Sequence, residues 1–494
     1  MHLSLRPWLG LTTTLSLLAV GSASAQTLES AIRNLGSADT RSVQIAGSGN
    51  TFQFGQAPDP SLPWPRFELK RYTADIDYER AAARVQIQRI QAVEAGRLRP
   101  VPVEQRVDQY VAGPLAWNLP TASASAGGGA PAAVPQSAAA RERAAEIWAT
   151  PQGFLRAAAA HKARSKALKG GGREIRFKLD GRYRFVGHIN SRHEVERVRT
   201  WIDNPVLGDT LVETRFSKYQ TFEGRPFPTR IERIQGGHPV LDLQVSEVRF
   251  NAGAAISVPS EIANAVRAPL LVKADPLADG VFYLTGGSHH SVLIEQKDHL
   301  VIVEAPLDEE RSLAVIAKAR EIAPGKPIRY LVNTHAHFDH SGGLRTFVAE
   351  GATIVTPQAN IPYYRQAWSA PRTLKPDLLA GKGRKPAFIG IDGKQVLSDG
   401  QRSIEVHSIV GSGHSDAFAL VYLPAEKILV EGDAYTPTAA SVPPPARPNP
   451  FSVNLHDNIL RLGLNVERIA ALHGPRVVTL ADLRTAIGEP ASAP

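Results

Sequence analysis

The sequence predicts an α/β protein in two parts. A mainly antiparallel β domain of α+β type is expected over residues 26–270, and a domain of mixed strands and helices over 271–494. Three observations carry this expectation. Between Arg66 and Phe250, candidate strands follow one another with few helices between them. After Pro269 strands and helices alternate, which argues α/β layers. A run rich in ligand-type side chains, Asn333 to Gly343 (N-T-H-A-H-F-D-H-S-G-G), stands directly after the apolar run Ile328 to Val332. The chain of 494 residues is long enough for more than one core.

Composition narrows the classes. Hydrophobic residues make up 43% of the chain and mean hydropathy is −0.16, as in soluble globular proteins. The formal net charge is +9, but lysines and arginines are interspersed with acids, so the charge alone names no anionic partner. No aromatic-and-basic surface pattern is evident, and no nucleic-acid partner is expected. The chain has no cysteine, which excludes disulfides, thiolate ligands and cysteine nucleophiles. A metal would have to be held by His, Asp or Glu.

The N-terminus reads as a signal peptide over residues 1–25. His2 and Arg6 precede an apolar run, Leu9 to Val20, and Ala23-Ser24-Ala25 offers a small-x-small cleavage site. The mature chain is therefore expected to be periplasmic or secreted. The apolar run is too short to span a bilayer, and no transmembrane segment is expected after it.

The first domain is read in order. Residues 26 to about 60, rich in Ser, Gly, Ala and Gln, are expected to hold little regular structure. Phe67, Leu69, Tyr72, Ala74 and Ile76 sit near alternation and Val85, Ile87 and Ile90 follow, as in antiparallel strands. Thr121 to Ala140 carries no charge and reads as a flexible surface loop. Arg141 to Lys166 reads as helix broken near Pro151. The basic residues from Lys162 to Arg173 read as a solvated helix end running into Gly170-Gly171-Gly172. Ile175, Phe177 and Leu179, then Asp180-Gly181, then Tyr183 and Phe185 spell a hairpin. Strands are expected at Thr210–Tyr219, Phe227–Gln235 and Leu241–Phe250. The sum is one curved antiparallel sheet with helix against it.

In the second domain strands are expected at Val281–Thr285, Val292–Glu295, Leu300–Glu304, Ile328–Val332, Thr353–Thr356, Ile404–Val410, Ala417–Leu423 and Ile428–Val430. Helices are expected at Leu313–Ile322, Leu344–Glu350, Asn465–Leu472 and Leu480–Ala486. His335, His337, Asp339 and His340 fall within six positions. Imidazole and carboxylate together suit zinc and similar metals. On an extended chain, alternation turns His335, His337 and Asp339 one way and leaves His340 for a second metal. Three more ligand types stand downstream beside glycines: His414 in Gly-Ser-Gly-His, Asp433 in Glu-Gly-Asp-Ala and His473 in Leu-His-Gly-Pro. A lone histidine is usually structural. This ordered set is far more specific.

In that order the residues resemble the metallo-β-lactamase superfamily of metallohydrolases, over about residues 277 to 480. The resemblance implies an αββα sandwich with the metal site at one edge of its two sheets. It implies that His335, His337 and His414 bind a first metal, that Asp339, His340 and His473 bind a second, and that Asp433 bridges them. Two Zn2+ per chain is the implied cofactor, with iron or manganese as alternatives. A bridging aspartate makes the chain more similar to glyoxalase II-like thioesterases, lactonases and phosphodiesterases than to true β-lactamases. The implied reaction is attack by a dinuclear metal-bound hydroxide on an ester, thioester, lactone or related bond of a small-molecule substrate. Asp339 would be the catalytic residue that orients the nucleophile or passes on its proton.

Competing readings are a persulfide dioxygenase with one iron on His335, His414 and Asp433, a β-lactamase, and a periplasmic ligand-binding protein. His289 and His290, in Gly286-Gly287-Ser288-His289-His290-Ser291, are expected to touch substrate or to support a ligand histidine. Tyr363 and Tyr364 are candidates for the pocket wall. Asn333, beside the motif but outside the ligand set, is expected to matter less. The sequence does not indicate an oligomeric state.

Overall fold

Thirteen strands between Ser42 and Phe250 form one antiparallel sheet, and the chain enters it in the middle, where Ser42–Phe52 pairs with His238–Phe250. From there it walks outward through Arg66–Asp77, Ala82–Gln91, Glu104–Ala112 and Leu115–Leu119 to an edge at Val134–Pro135. Helices Ala140–Trp148 and Pro151–Ala160 carry it to the opposite edge, Arg164–Ala167, and it walks back through five more strands to the central His238–Phe250. The computed structural model describes residues 27–120, 132–253, 256–266, 269–443 and 446–489. The expected signal peptide and residues 121–131 of the expected loop lie outside the described residues.

Alternation explains most of this sheet. In Arg66–Asp77 the residues Phe67, Leu69, Tyr72, Ala74 and Ile76 are buried and the residues between them are mostly exposed. The three-residue step from Leu69 to Tyr72 is absorbed by a bulge between Leu69 and Arg71. Leu69, Tyr72, Ala74 and Ile76 join Ile147, Phe154, Leu155, Ala157 and Ala158 of the two helices in one core, so the helices cover one face. Each such apolar side chain contributes about 1.5–3 kcal/mol when fully buried. At the hairpin, Asp180 and Gly181 both take positive φ, 50° and 68°.

Three expectations fail in this domain. Residues 27–34 are helical and Ser42–Phe52 is a strand, not irregular chain. Its glycines are there for close approach: a Cβ on Gly47 would lie 2.2 Å from the Gln244 carbonyl oxygen of the paired strand. The end of the expected loop holds the short strand Val134–Pro135 and a 3-10 turn, Ser137–Ala139. The basic run is not a helix end. Arg164 and Lys166 stand on the edge strand Arg164–Ala167, where charge discourages further strand pairing.

The C-terminal half is built of two sheets. Seven strands from Lys273–Ala278 to Phe388–Ile391 form the first, and six from Lys394–Ser398 to Val478–Thr479 form the second. Val301, Val303, Val332 and Val355 of the first sheet meet Ile404, Val406, Val421 and Val430 of the second. On the other face of the first sheet, Leu300, Ile302 and Leu331 meet helices Glu309–Ile322 and Leu344–Glu350. On the outer face of the second, Leu420 and Leu429 meet helices Pro450–Arg461 and Leu480–Ala486. The layers run α, β, β, α, and strands covered on both faces read as unbroken apolar runs. That is why Asn465–Leu472 misleads. Arg468–Ala471 is a strand parallel to Ile428–Glu431, and a short apolar run buried on both faces has no period to separate it from helix.

The two halves are bonded to each other. The Arg372 guanidinium donates to the carbonyls of Asn204, Pro205 and Val206, and the Asp209 carboxylate accepts from the Thr373 and Leu374 amides. Arg97 forms a two-point pair with Asp416 at 2.6 and 3.0 Å. Among the described residues, no helix is long and apolar enough to cross a membrane.

Candidate metal centre

The strand Ile328–Val332 ends at one edge of the sandwich and releases the chain into a loop at Asn333. The chain turns helical at Phe338–Ser341, with His337 as its cap residue. Extended alternation therefore stops at His337. Asp339 does not face the same way as His335 and His337, contrary to the reading from alternation; it joins His340 instead. Among the described residues three groups of ligand atoms lie within 4.8 Å of one another: His335, His337, His414 and Asp433 in one, His289, Asp339, His340 and His473 in a second, and Glu304 with His335 and His340, behind both, in the third.

Asp433, just beyond the strand Ile428–Glu431, lies between the first two groups. Its Oδ2 is 2.9 Å from His414 Nε2 and 3.6 Å from His335 Nε2. Its Oδ1 is 2.7 Å from His473 Nε2 and 3.0 Å from His340 Nε2. Each oxygen thus serves one group. Burial would raise this carboxyl, but the imidazoles around it, His340 and His414 foremost, hold it well below the usual range.

The outer ring nitrogens are assigned by their partners. His335 Nδ1 donates to Thr334 Oγ1 at 2.9 Å, and that hydroxyl donates to Glu304 Oε2 at 2.5 Å. His340 Nδ1 donates to the same Glu304 oxygen at 3.0 Å. His337 Nε2 donates to the Ala57 carbonyl at 3.1 Å. Each bond fixes a tautomer and turns the other nitrogen inward. His337 Nδ1 is buried and has no hydrogen-bond partner among the described residues. Burial and the neighbouring His340 push His335 down to about 4, so it is neutral at pH 7 with a lone pair to offer. Burial likewise holds His337 well below its usual value. The orphaned nitrogen and the two neutral imidazoles beside the carboxylate fit a borderline metal ion, whereas Asp433 and Glu304 hold His340 well above its usual value, so it would have to give up a proton to act as a ligand.

Three framework residues escaped the sequence reading. Glu304 is wholly buried, at φ 72°, and holds His335 through Thr334 and His340 directly. An acid closing the wholly apolar strand Leu300–Val303 was the available signal. Asn333 is a hub rather than a bystander. Its Nδ2 donates to Glu304 Oε1 and to the His335 and His340 carbonyls, and its Oδ1 accepts from Thr356 and Tyr364. Gln56, from the first domain, donates to Asp339 Oδ1 at 2.7 Å. Nothing in its sequence context marks it.

The remaining candidates separate. His289 Nε2 lies 3.2 Å from Asp339 Oδ2 and its ring packs 4.1 Å from that of His473, so it stands in the second group. His290 is buried and its Nε2 donates to the Gly474 carbonyl, which places it behind the turn carrying His473 rather than against a substrate. Tyr364 is fully buried on Asn333, and Tyr363 packs in the same helix–sheet core with its hydroxyl buried, so neither forms a pocket wall.

Part of the chain is similar to known proteins. Residues 284–460 match the model of the metallo-beta-lactamase superfamily. No curated protein matches the chain. Similar solved structures include a metallo-beta-lactamase from Pontibacter korlensis, 16% identical over 44% of this chain and 97% of that one, with a TM-score of 0.32. A metallo-beta-lactamase from Hirschia baltica is 19% identical over 44% and 99% of the two chains, TM-score 0.32. The mono-zinc form of FIM-1 from Pseudomonas aeruginosa is 17% identical over 44% and 93%, TM-score 0.32.

Proposed function

We propose that this chain, whose residues 284–460 form a metallo-beta-lactamase superfamily domain and so imply a metal-dependent hydrolase, works with two metal ions. Zinc is the preferred ion, with iron or manganese as alternatives. The substrate is a small molecule with an ester, thioester, lactone or related bond. The observation that supports the pair is Asp433, with one oxygen toward His335 and His414 and the other toward His340 and His473. Bound metals supply a water acidified to a pKa of about 7 and Lewis acidity toward the scissile bond.

The chain's own residues supply the rest. Asp433 would hold the ions from both groups, and its charge would offset part of their mutual repulsion. Asp339 is held at both oxygens, by Gln56 and by His289, and is poised to orient the nucleophile or take its proton. His289 is the substrate-side histidine of this reading. Glu304 and Asn333 hold the loop in place. Residues 1–25 are proposed to act as an export signal, which would place the enzyme in a periplasm or outside the cell.

Screening the zinc-loaded full chain against lactones, thioesters, phosphodiesters and β-lactams tests the reading. Turnover of at least one acyl substrate, abolished by chelation and restored by zinc, is expected. One bound iron and oxygen-dependent turnover of a persulfide would replace it with the oxygenase reading.

A further inference from the structure

The first domain reaches the metal centre through one short stretch against His337 and Asp339, while Arg97 and Leu98 pack beside the turn that carries His414. Its loop over residues 53–65 leaves strand Ser42–Phe52 and presents four successive residues to the ligand loops. The Gly55 carbonyl accepts from the Phe338 amide at 3.1 Å. The Gln56 Nε2 donates to Asp339 Oδ1 at 2.7 Å. The Ala57 carbonyl accepts from His337 Nε2 at 3.1 Å. The Pro58 carbonyl accepts from the Asp416 amide at 2.8 Å, beside His414. We infer that this loop is a working part of the metal centre, with Gln56 and the Ala57 carbonyl positioning Asp339 and His337 as ligands, so that docking of the first domain and metal binding are coupled.

The contacts are specific in chemistry as well as place. His337 has only Nδ1 facing its group, because Nε2 is committed to Ala57; without that carbonyl the ring is free to change tautomer or turn. Asp339 has two oxygens, and Gln56 occupies Oδ1, leaving Oδ2 toward His289 and His340. Outer bonds of this kind set ligand orientation and basicity.

The loop is also built to hold its shape. Pro58, Pro60, Pro63 and Pro65 fix φ along it. Phe54, Trp64 and Phe338 pack edge to face at 5.2–5.6 Å. Gly55 sits at φ +79°, and a Cβ there would lie 2.6 Å from the Phe338 ring. The residue after His337 is thus clamped between the two domains. Because coupling is reciprocal, a bound metal must tighten the loop as much as the loop tightens the metal.

This inference rests on the metal reading above, and cobalt(II) binding to the full chain tests both separately. Wild type is expected to take up two cobalt ions with resolved visible d–d bands. Gln56→Leu should bind the second ion roughly tenfold more weakly or worse, with altered bands, while the first ion and the far-UV circular dichroism are retained. Gln56→Glu, which sets a carboxylate against Asp339, should lose more than Gln56→Leu; a contact of packing alone would leave the two variants alike. Hydrogen exchange over residues 53–65 should slow when cobalt is added to wild type. Identical affinities and spectra in the variants, or exchange indifferent to cobalt, would overturn the inference and leave the metal reading standing. A wild-type chain that takes up no cobalt would overturn both.

Discussion

The two halves of the metal centre are supported differently. On the side of His335 and His337 the imidazoles are 0% and 3% exposed, and both outer nitrogens are committed, one through Thr334 to Glu304 and one to Ala57. On the side of Asp339 and His473 the side chains are 27% and 18% exposed, and only His340 is held by a buried carboxylate. With His414 14% exposed on the first side and His340 fully buried on the second, the first is the more closed donor set by its His335–His337 pair. The other is more open, and its outer support includes a glutamine from another domain. On the proposed reading, substrate would enter at the more open half, and that half would release its ion first. Asp433 is the element common to both.

Removing that common element should have the largest effect. Asp433→Asn keeps the shape but removes the charge shared by the two groups. Metal content is expected to fall below two per chain. Hydrolysis of whichever ester or lactone proves active should fall by more than the ~10–100-fold that an outer partner costs. A wild-type rate with two bound metals would erase the distinction between bridge and ligand.

Glu304→Gln strikes both halves from behind, since one carboxylate oxygen serves Thr334 and His340 together. Metal affinity measured by competition with a chelator should fall by about 10–100-fold. If only one ion is weakened, Glu304 supports one half rather than both.

Asn333→Ala should cost stability more than chemistry. It strips partners from the buried Glu304, Thr356 and Tyr364, worth about 2–4 kcal/mol in chemical denaturation. Unchanged stability would show that water replaces the side chain.

Asn333 also shows where sequence reading stops. Ligand-type residues announce themselves by clustering, so His335, His337, Asp339 and His340 stand out as candidates at once, and the structure brings His414, Asp433 and His473 close to them. The residues that hold them have no such signature. Glu304 acts on Thr334 and His340, 30 and 36 positions away, and Gln56 on Asp339, 283 away; Asn333 is a near neighbour of His335 and His340 but not a ligand type, so clustering passes over it. Strands read well where one face is exposed, as in Arg66–Asp77, because burial imprints a period of two. They read poorly where glycine replaces the buried side chain, as in Ser42–Phe52, or where both faces are covered, as in Arg468–Ala471.

The smallest effect is expected at His289. His289→Ala leaves Asp339, His340, His473 and Asp433 in place, so metal content should stay at two while kcat/KM falls by under roughly tenfold. Loss of one ion would instead make His289 a ligand of the open half.

Electron paramagnetic resonance of the chain loaded with two equivalents of manganese(II) probes the shared carboxylate most directly. Asp433, with one oxygen toward each group, predicts an exchange-coupled pair that becomes uncoupled in Asp433→Asn. Two independent signals in wild type, or uptake of a single ion, would contradict a dinuclear centre built on Asp433.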